Sequence, residues 1–271
     1  MRIGIISDLH VDRRHARYSI SDFEHLLADE VHRRKIELLL IAGDISSDYR
    51  ITTNFIHSLM ARTGIDIRFV PGNHDYWQPE SEDTSSADIY RFYREHPESM
   101  IGAPLILDDD WAIVGHSGWY DYSYADARFS TEKIASGKFY GGTWQDKVRT
   151  SWPMDDPALS KAFADAVRQD LEEVGDRNII MMTHVVTHRN FAVPTPHRLF
   201  DFYNAFIGTS DFDTFYKEFP IRYSIMGHVH FRHQFTDQGI HYICPCLGYS
   251  REWRTDDLAV EIGNTLQVID I

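Results

Sequence analysis

Five short apolar runs punctuate the first 226 residues, at Ile3–Ile6, Leu38–Ile41, Ile67–Val70, Ile179–Met182 and Ile221–Met226. Runs of this length without alternation read as buried strands. Between the first two, Ser21–Arg34 carries a helical pattern whose faces are marked by Phe23, Leu26, Leu27, Glu30 and Val31, with Ser21 placed as the N-cap. The same reasoning predicts helices over Thr52–Arg62 and over Pro157–Val174, where Leu159, Phe163, Val167 and Leu171 form the apolar stripe. Strands alternating with helices predict an α/β fold. The C-terminal end differs. Phe231–Asp237, Ile240–Cys244, Leu258–Ile262 and Leu266–Ile271 read as short strands broken by Gly239 and Gly263-Asn264, the pattern of antiparallel hairpins.

Residues 116–156 and 185–220 have few long periodic elements and many rings. Nine aromatics lie between Trp119 and Trp152 and nine more between Phe191 and Phe219, half of the 36 in the chain. With no internal repeat and no Pro/Gly-rich linker, residues 1–271 read as a single domain carrying two aromatic-rich insertions. Those insertions fit a subsidiary core first, then a lid that stacks on substrate, then a subunit interface.

Composition narrows the function. At 271 residues, 43% hydrophobic and 25% charged, the chain is long enough for a sizeable core and too apolar for disorder. No apolar run approaches the ~20 residues that cross a bilayer, and the start has no signal-peptide anatomy. A net charge of −14 repels long nucleic acid and anionic membrane. Two cysteines, Cys244 and Cys246, are too few for a disulfide framework and fit a reducing cytoplasm as small buried strand residues. Nothing in the pattern selects an oligomeric state. Histidine is the outlier, at 15 residues, and neutral imidazole is a common metal ligand.

Each of the five early strands ends in ligand-type residues. IISDLH delivers Asp8 and His10, LLLIAGD delivers Asp44, and RFVPGNHD delivers Asn73, His74 and Asp75. IIMMTH delivers His184, and YSIMGHVH delivers His228 and His230. In open α/β sheets ligands bind beyond the carboxyl ends of the strands, so these groups would line one polar rim. Asp8-x-His10 and His228-x-His230 put both side chains on the same side of an extended segment, able to grip one cation. Glycines before Asp44, Asn73 and His228 let the backbone turn sharply there.

The order Asp8-x-His10, Gly43-Asp44, Gly72-Asn73-His74-Asp75, His184, Gly227-His228-x-His230 resembles the calcineurin-like metallophosphoesterase family, over residues 8 to 230. The resemblance implies two mixed β-sheets packed face to face with helices outside, an α/β/β/α sandwich, around a binuclear metal centre. It implies that Asp8, His10 and His230 hold one ion, that Asn73, His184 and His228 hold the other, and that Asp44 bridges them. His74 then protonates the leaving oxygen or stabilises the transition state, and Asp75 orients its imidazole. The implied reaction is phosphoester hydrolysis by a metal-bridging hydroxide. A nitrogen and oxygen ligand set without thiolate favours two divalent or trivalent transition ions, Mn, Fe or Zn. GDISSD lacks the Arg-containing extension of the protein-phosphatase branch, while GNHD with GHVH matches the diesterase and small-molecule branch. The expected substrate is a small-molecule, nucleotide-like phosphodiester, ahead of a phosphomonoester; a non-catalytic protein-binding scaffold comes third.

The remaining polar residues read as background. Asp48 is a structural loop residue. His15, His25, His32, His57, His96, His233 and His241 are expected in solvent, His188 and His197 on the surface, and His116 near the pocket rim. Arg13, Arg14 and Arg17 pair with the acidic surface or line the rim, where guanidinium groups would meet phosphate.

Overall fold

The structure is a computed structural model that describes residues 1–13, 17–79 and 83–271; Arg14 and His15 lie outside them. The first quarter of the chain alternates as β1 (Arg2–Ile6), α1 (Ile20–Arg34), β2 (Leu38–Ala42), α2 (Tyr49–Thr63) and β3 (Asp66–Val70). Next come α3 (Ser86–Arg94), β4 (Leu105–Ile106) and β5 (Trp111–His116). Then follow α4 (Thr131–Ala135), β6 (Lys138–Phe139), β7 (Gly142–Thr143), α5 (Asp146–Arg149), α6 (Asp156–Val174) and β8 (Asn178–Thr183). The chain finishes with α7 (Phe200–Tyr203), α8 (Phe215–Glu218), β9 (Ile221–Ile225), β10 (Arg232–Asp237), β11 (Ile240–Pro245), α9 (Leu258–Thr265) and β12 (Gln267–Asp270).

Two mixed sheets result, in the orders β12-β1-β2-β3 and β10-β11-β9-β8-β5-β4. β1, β2 and β3 run parallel, and β12 closes one edge antiparallel to β1. In the second sheet β5, β8, β9 and β11 are parallel, with β4 and β10 antiparallel at the edges. Successive strand residues face opposite ways, so each apolar run feeds two cores. Ile3, Ile5, Leu38 and Leu40 meet Ile113, Ile180, Met182 and Ile225 between the sheets. Leu39 and Ile41 face Leu27, Val31, Ile56 and Leu59 of α1 and α2, while Val114, Ile179 and Met181 face Val167 and Leu171 of α6. Each fully buried Leu or Ile contributes ~1.5–3 kcal/mol, which makes this layering the main stabilising term. The architecture is the expected α/β/β/α sandwich.

Boundaries moved where caps outweighed the apolar pattern. α1 starts after Ser19, whose N–H donates to Asp22 at 2.7 Å, rather than at Ser21. α2 starts after Asp48, which accepts from Arg50 N, so Asp48 is a helix cap. Leu258–Ile262, expected as a strand, is the first part of α9. Asp257 caps it by accepting from Ala259 N and Val260 N, and Leu258 and Ile262 bury one helical face. The final strand accordingly pairs with β1 rather than forming a hairpin with its predecessor. The hairpin at Gln238-Gly239 joins β10 to β11 as expected. β5, inside the second sheet, and α3 were not among the expected elements, although Trp111–Val114 is an apolar run as long as Leu38–Ile41.

Candidate metal centre

The ends of β1, β2, β3, β8 and β9 bring seven of the expected groups to one place. Asp8, His10, Asp44 and His230 offer ligand atoms within 4.8 Å of one another, and Asp44, His184 and His228 do the same, so Asp44 belongs to both groups. The backbone there is held in a sparsely populated region: Asp8, His10, Asp44, His228 and His230 have φ of 56°, 45°, 53°, 75° and 56°. Such conformations cost of order 1–3 kcal/mol each in non-glycine residues and persist only where the surroundings impose them. The approach is close. A Cβ on Gly72 would lie 2.1 Å from Asp44 Oδ1, and one on Gly227 would lie 2.8 Å from Asp8 Oδ2.

Hydrogen bonds fix which atom of each imidazole faces inward. His184 Nδ1 donates to Ala42 O at 2.8 Å, which leaves the Nε2 lone pair toward Asp44 Oδ1 at 3.4 Å. His228 Nε2 donates to Phe206 O at 2.8 Å and so presents Nδ1. His230 Nδ1 donates to Glu252 at 2.9 Å, and its Nε2 lies 3.4 Å from Asp8 Oδ1 and 2.9 Å from His10 Nε2. Asn73 Nδ2 donates to both oxygens of Asp146 at 3.0 Å, turning Oδ1 to within 2.9 Å of His184 Nε2.

The result is lone pair against lone pair, and a cation is the partner that resolves it. Asp44 Oδ2, fully buried, accepts no hydrogen bond. Burial and the neighbouring charges of Asp8 and Asp75 push the Asp44 carboxyl well above the usual range. Burial also holds His10 well below an ordinary histidine and takes His228 down to about 3, favouring the neutral form that ligates; it lowers His74 likewise, while His230 is raised against its burial by the Glu252 carboxylate. The residues fit two metal ions.

His74 sits at the edge of the cluster with Nε2 3.9 Å from Asp44 Oδ2. Arg13 Nη2 lies 3.1 Å from its Nδ1, and because guanidinium only donates, Nδ1 accepts and the proton resides on Nε2. Trp77 stacks on the ring at 3.8 Å, and Tyr249 OH lies 3.4 Å from Nε2. Asp75, expected to orient this imidazole, does not reach it. Its carboxylate accepts from Gly72 N, Ser46 N, Ile45 N and Thr52 Oγ1, tying the β2 and β3 loops together. The loop turns the Asp75 side chain inward, away from the ring next to it in sequence.

Four groups escaped the sequence reading. Asp146, on α5 in the first insertion, is fully buried and accepts from Asn73, from Trp77 Nε1 at 2.7 Å and from Trp144 Nε1 at 2.8 Å. It therefore steadies both Asn73 and the ring behind His74. Glu252 orients His230, Tyr249 packs on His10 at 4.4 Å, and Trp77 backs His74. Asp146, Glu252 and Tyr249 act on partners tens to hundreds of residues away in sequence, while Trp77, three residues after His74, is an aromatic of a type that carries no ligand signal.

A cleft of about 800 Å³ opens above the cluster, walled by Arg13, Trp77, Trp144, Arg149, Phe200 and Trp253. Most insertion rings pack inward: Trp119 and Tyr120 are buried, Phe139 stacks on Phe202 at 4.8 Å, and Trp144 stacks on Phe206 at 5.2 Å, while Tyr140 is exposed. The insertions thus form a subsidiary core against each other and lend Trp144 and Phe200 to the cleft. His116 is a core residue rather than a rim residue, against Phe163 at 4.4 Å. His188 packs on Tyr242 and His197 on Phe200. Cys244 and Cys246 are buried, their sulfurs 3.5 Å apart. No helix among the described residues is long and apolar enough to cross a membrane.

Comparison with known proteins agrees with this geometry. The sequence model of the calcineurin-like phosphoesterase family matches residues 1–232. No curated protein matches the chain. Among solved structures, the chain is similar to phosphopantetheinyl hydrolase from Mycobacterium tuberculosis, 20% identical with a TM-score of 0.75 over 98% of this chain and 95% of that one. A dimetal phosphatase from Danio rerio is 13% identical, with a TM-score of 0.51 over 90% of this chain and 86% of that one.

Proposed function

The chain belongs to the calcineurin-like phosphoesterase family and is a metal-dependent phosphoesterase, and from that premise we propose that it hydrolyses a small-molecule, nucleotide-like phosphodiester. The observation that carries the proposal is the sharing of Asp44 between two groups of buried ligand atoms, beside a neutral His74 whose Nε2 carries the proton. Asp8, His10 and His230 hold one ion, and Asn73, His184 and His228 hold the other, with Asp44 between them. Manganese, iron and zinc suit this donor set. Bound there, the ions supply Lewis acidity, which acidifies water and neutralises charge on phosphoryl oxygens.

The protein's own groups do the rest. Arg13, beside His74, offers its guanidinium to a phosphoryl oxygen and fixes the imidazole tautomer. His74 donates a hydrogen bond from Nε2–H to the departing oxygen and stabilises the charge growing there, a role expected to contribute on the order of 10²–10³ in rate. Asp146 keeps the Asn73 oxygen turned inward, and Glu252 does the same for His230 Nε2. Trp77, Trp144 and Phe200 give apolar walls to a cleft far larger than a phosphate, which supports an ester with a substantial organic group. The two free cysteines suit a reducing cytoplasm as the place of action.

Metal-reconstituted enzyme assayed on bis-p-nitrophenyl phosphate and p-nitrophenyl phosphate tests the preference, followed by cyclic nucleotides, nucleotide diesters and phosphopantetheinyl esters. Faster turnover of the diester is expected. Faster turnover of the monoester would assign the enzyme to phosphomonoesters.

A further inference from the structure

Two histidines and a glutamate converge at a second place, away from the cleft. His57 lies on α2, and His96 and Glu98 lie in the turn that follows α3; none of the three lines the cleft. His96 Nδ1 is 3.0 Å from Glu98 Oε2, and His57 Nε2 is 3.6 Å from the same oxygen. All three donor atoms fall within 4.8 Å of one another. The two imidazole rings are 5.2 Å apart, close to the 4.8 Å between His10 and His230 and the 5.0 Å between His184 and His228.

The bonding at this cluster is the informative part. His96 Nδ1 and Glu98 Oε2 are both buried, and despite their short separation neither makes a hydrogen bond. Atoms that close without hydrogen-bond geometry are not bonded to each other, which leaves both available to a third partner. The His96 side chain is only 8% exposed, walled by Phe69 and Phe92, so water does not satisfy it. The turn is also fixed: Phe69 N–H donates to Glu98 O, Ser99 N–H donates to His96 O, and Arg68 Nη1 donates to Pro97 O. The His57 side chain, 56% exposed, leaves one side of the cluster open to solvent.

We propose that His57, His96 and Glu98 form a separate binding site for one divalent transition ion. Two imidazole nitrogens and one carboxylate oxygen suit zinc, cobalt, nickel or copper, with water completing the coordination on the open side. The ion would clamp α2, whose N-terminal end carries the Asp44 loop, to the turn after α3. The inference stands independently of the phosphodiester reading.

The test is a metal count. Chain stripped with chelator is equilibrated with zinc and its metal per chain measured, for the unmodified protein and for His57→Ala. The expected result is one ion fewer in His57→Ala, with phosphoester turnover unchanged; taking the difference makes the answer independent of how many ions the cleft holds. Glu98→Gln gives a second measure of the same loss. As a separate readout, one equivalent of copper added to zinc-loaded protein should give an electron-paramagnetic-resonance signal with two nitrogen ligands that disappears in His57→Ala. Equal metal content in the unmodified chain and both variants would overturn the proposal.

Discussion

Asp44 and His74 illustrate how side-chain chemistry follows from what each atom is denied. Asp44 Oδ2 has no donor to accept from, and His74 Nδ1 faces a guanidinium that can only donate. The first is resolved by a cation, the second by a proton kept on Nε2. His74→Ala therefore should keep the metal content of the cleft, measured by elemental analysis, while kcat falls on the order of 10²–10³; full activity would remove His74 as the hydrogen-bond donor to the leaving oxygen. His116 gives a different kind of test, because it lies in the core. Burial takes it down to about 3 from 6.5, so the folded chain binds fewer protons than the unfolded chain below pH 6.5. Stability from this residue is constant above pH 6.5 and declines as pH falls toward 3, by about 2 kcal/mol at pH 5. Denaturant unfolding at pH 7.5 and pH 5 should show a shallower acid decline in His116→Gln than in the unmodified chain; identical declines would contradict the assignment.

At the scale of elements, the strand ends carry both the site and most of what could be read from sequence. Apolar runs followed at once by Asp, His or Asn were legible because strand and ligand are contiguous, as in Ile5-Ile6-Ser7-Asp8 or Met181-Met182-Thr183-His184. Leu258–Ile262 misled because a short apolar run satisfies helix and strand alike, and the deciding signal was the Asp257 cap. β5 was overlooked although Trp111-Ala112-Ile113-Val114 is an apolar run as long as Leu38–Ile41; it lies between β4 and β8. Asp75 was misassigned by adjacency to His74, and Asp146 was missed because its work depends on a partner 73 residues away. The insertions were legible as aromatic and, in the first of the three readings, as a subsidiary core, which is how most of their rings pack. Trp119, 1% exposed and bonded through Nε1 to Asp156, belongs to that inner layer. Trp119→Ala should cost ~3–5 kcal/mol of stability with the ranking of substrates preserved; a changed ranking with an unchanged melting temperature would return the segment to a lid.

For the whole molecule, the sandwich brings groups spread from residue 8 to residue 230 onto one shared carboxylate. The sheets supply the rigid floor, and the two insertions, packed on each other, supply the cleft walls. In a chain of net charge −14, Arg13 and Arg149 give the cleft positive groups that suit the small anionic ester proposed for it. The central claim is that two ions share Asp44. Anomalous X-ray diffraction from crystals of the manganese- or zinc-loaded protein measures it directly. Two anomalous peaks in the cleft are predicted, one contacted by Asp8, His10 and His230, one by Asn73, His184 and His228, and both by Asp44. A single cleft ion, or a pair that Asp44 does not touch, would contradict the account.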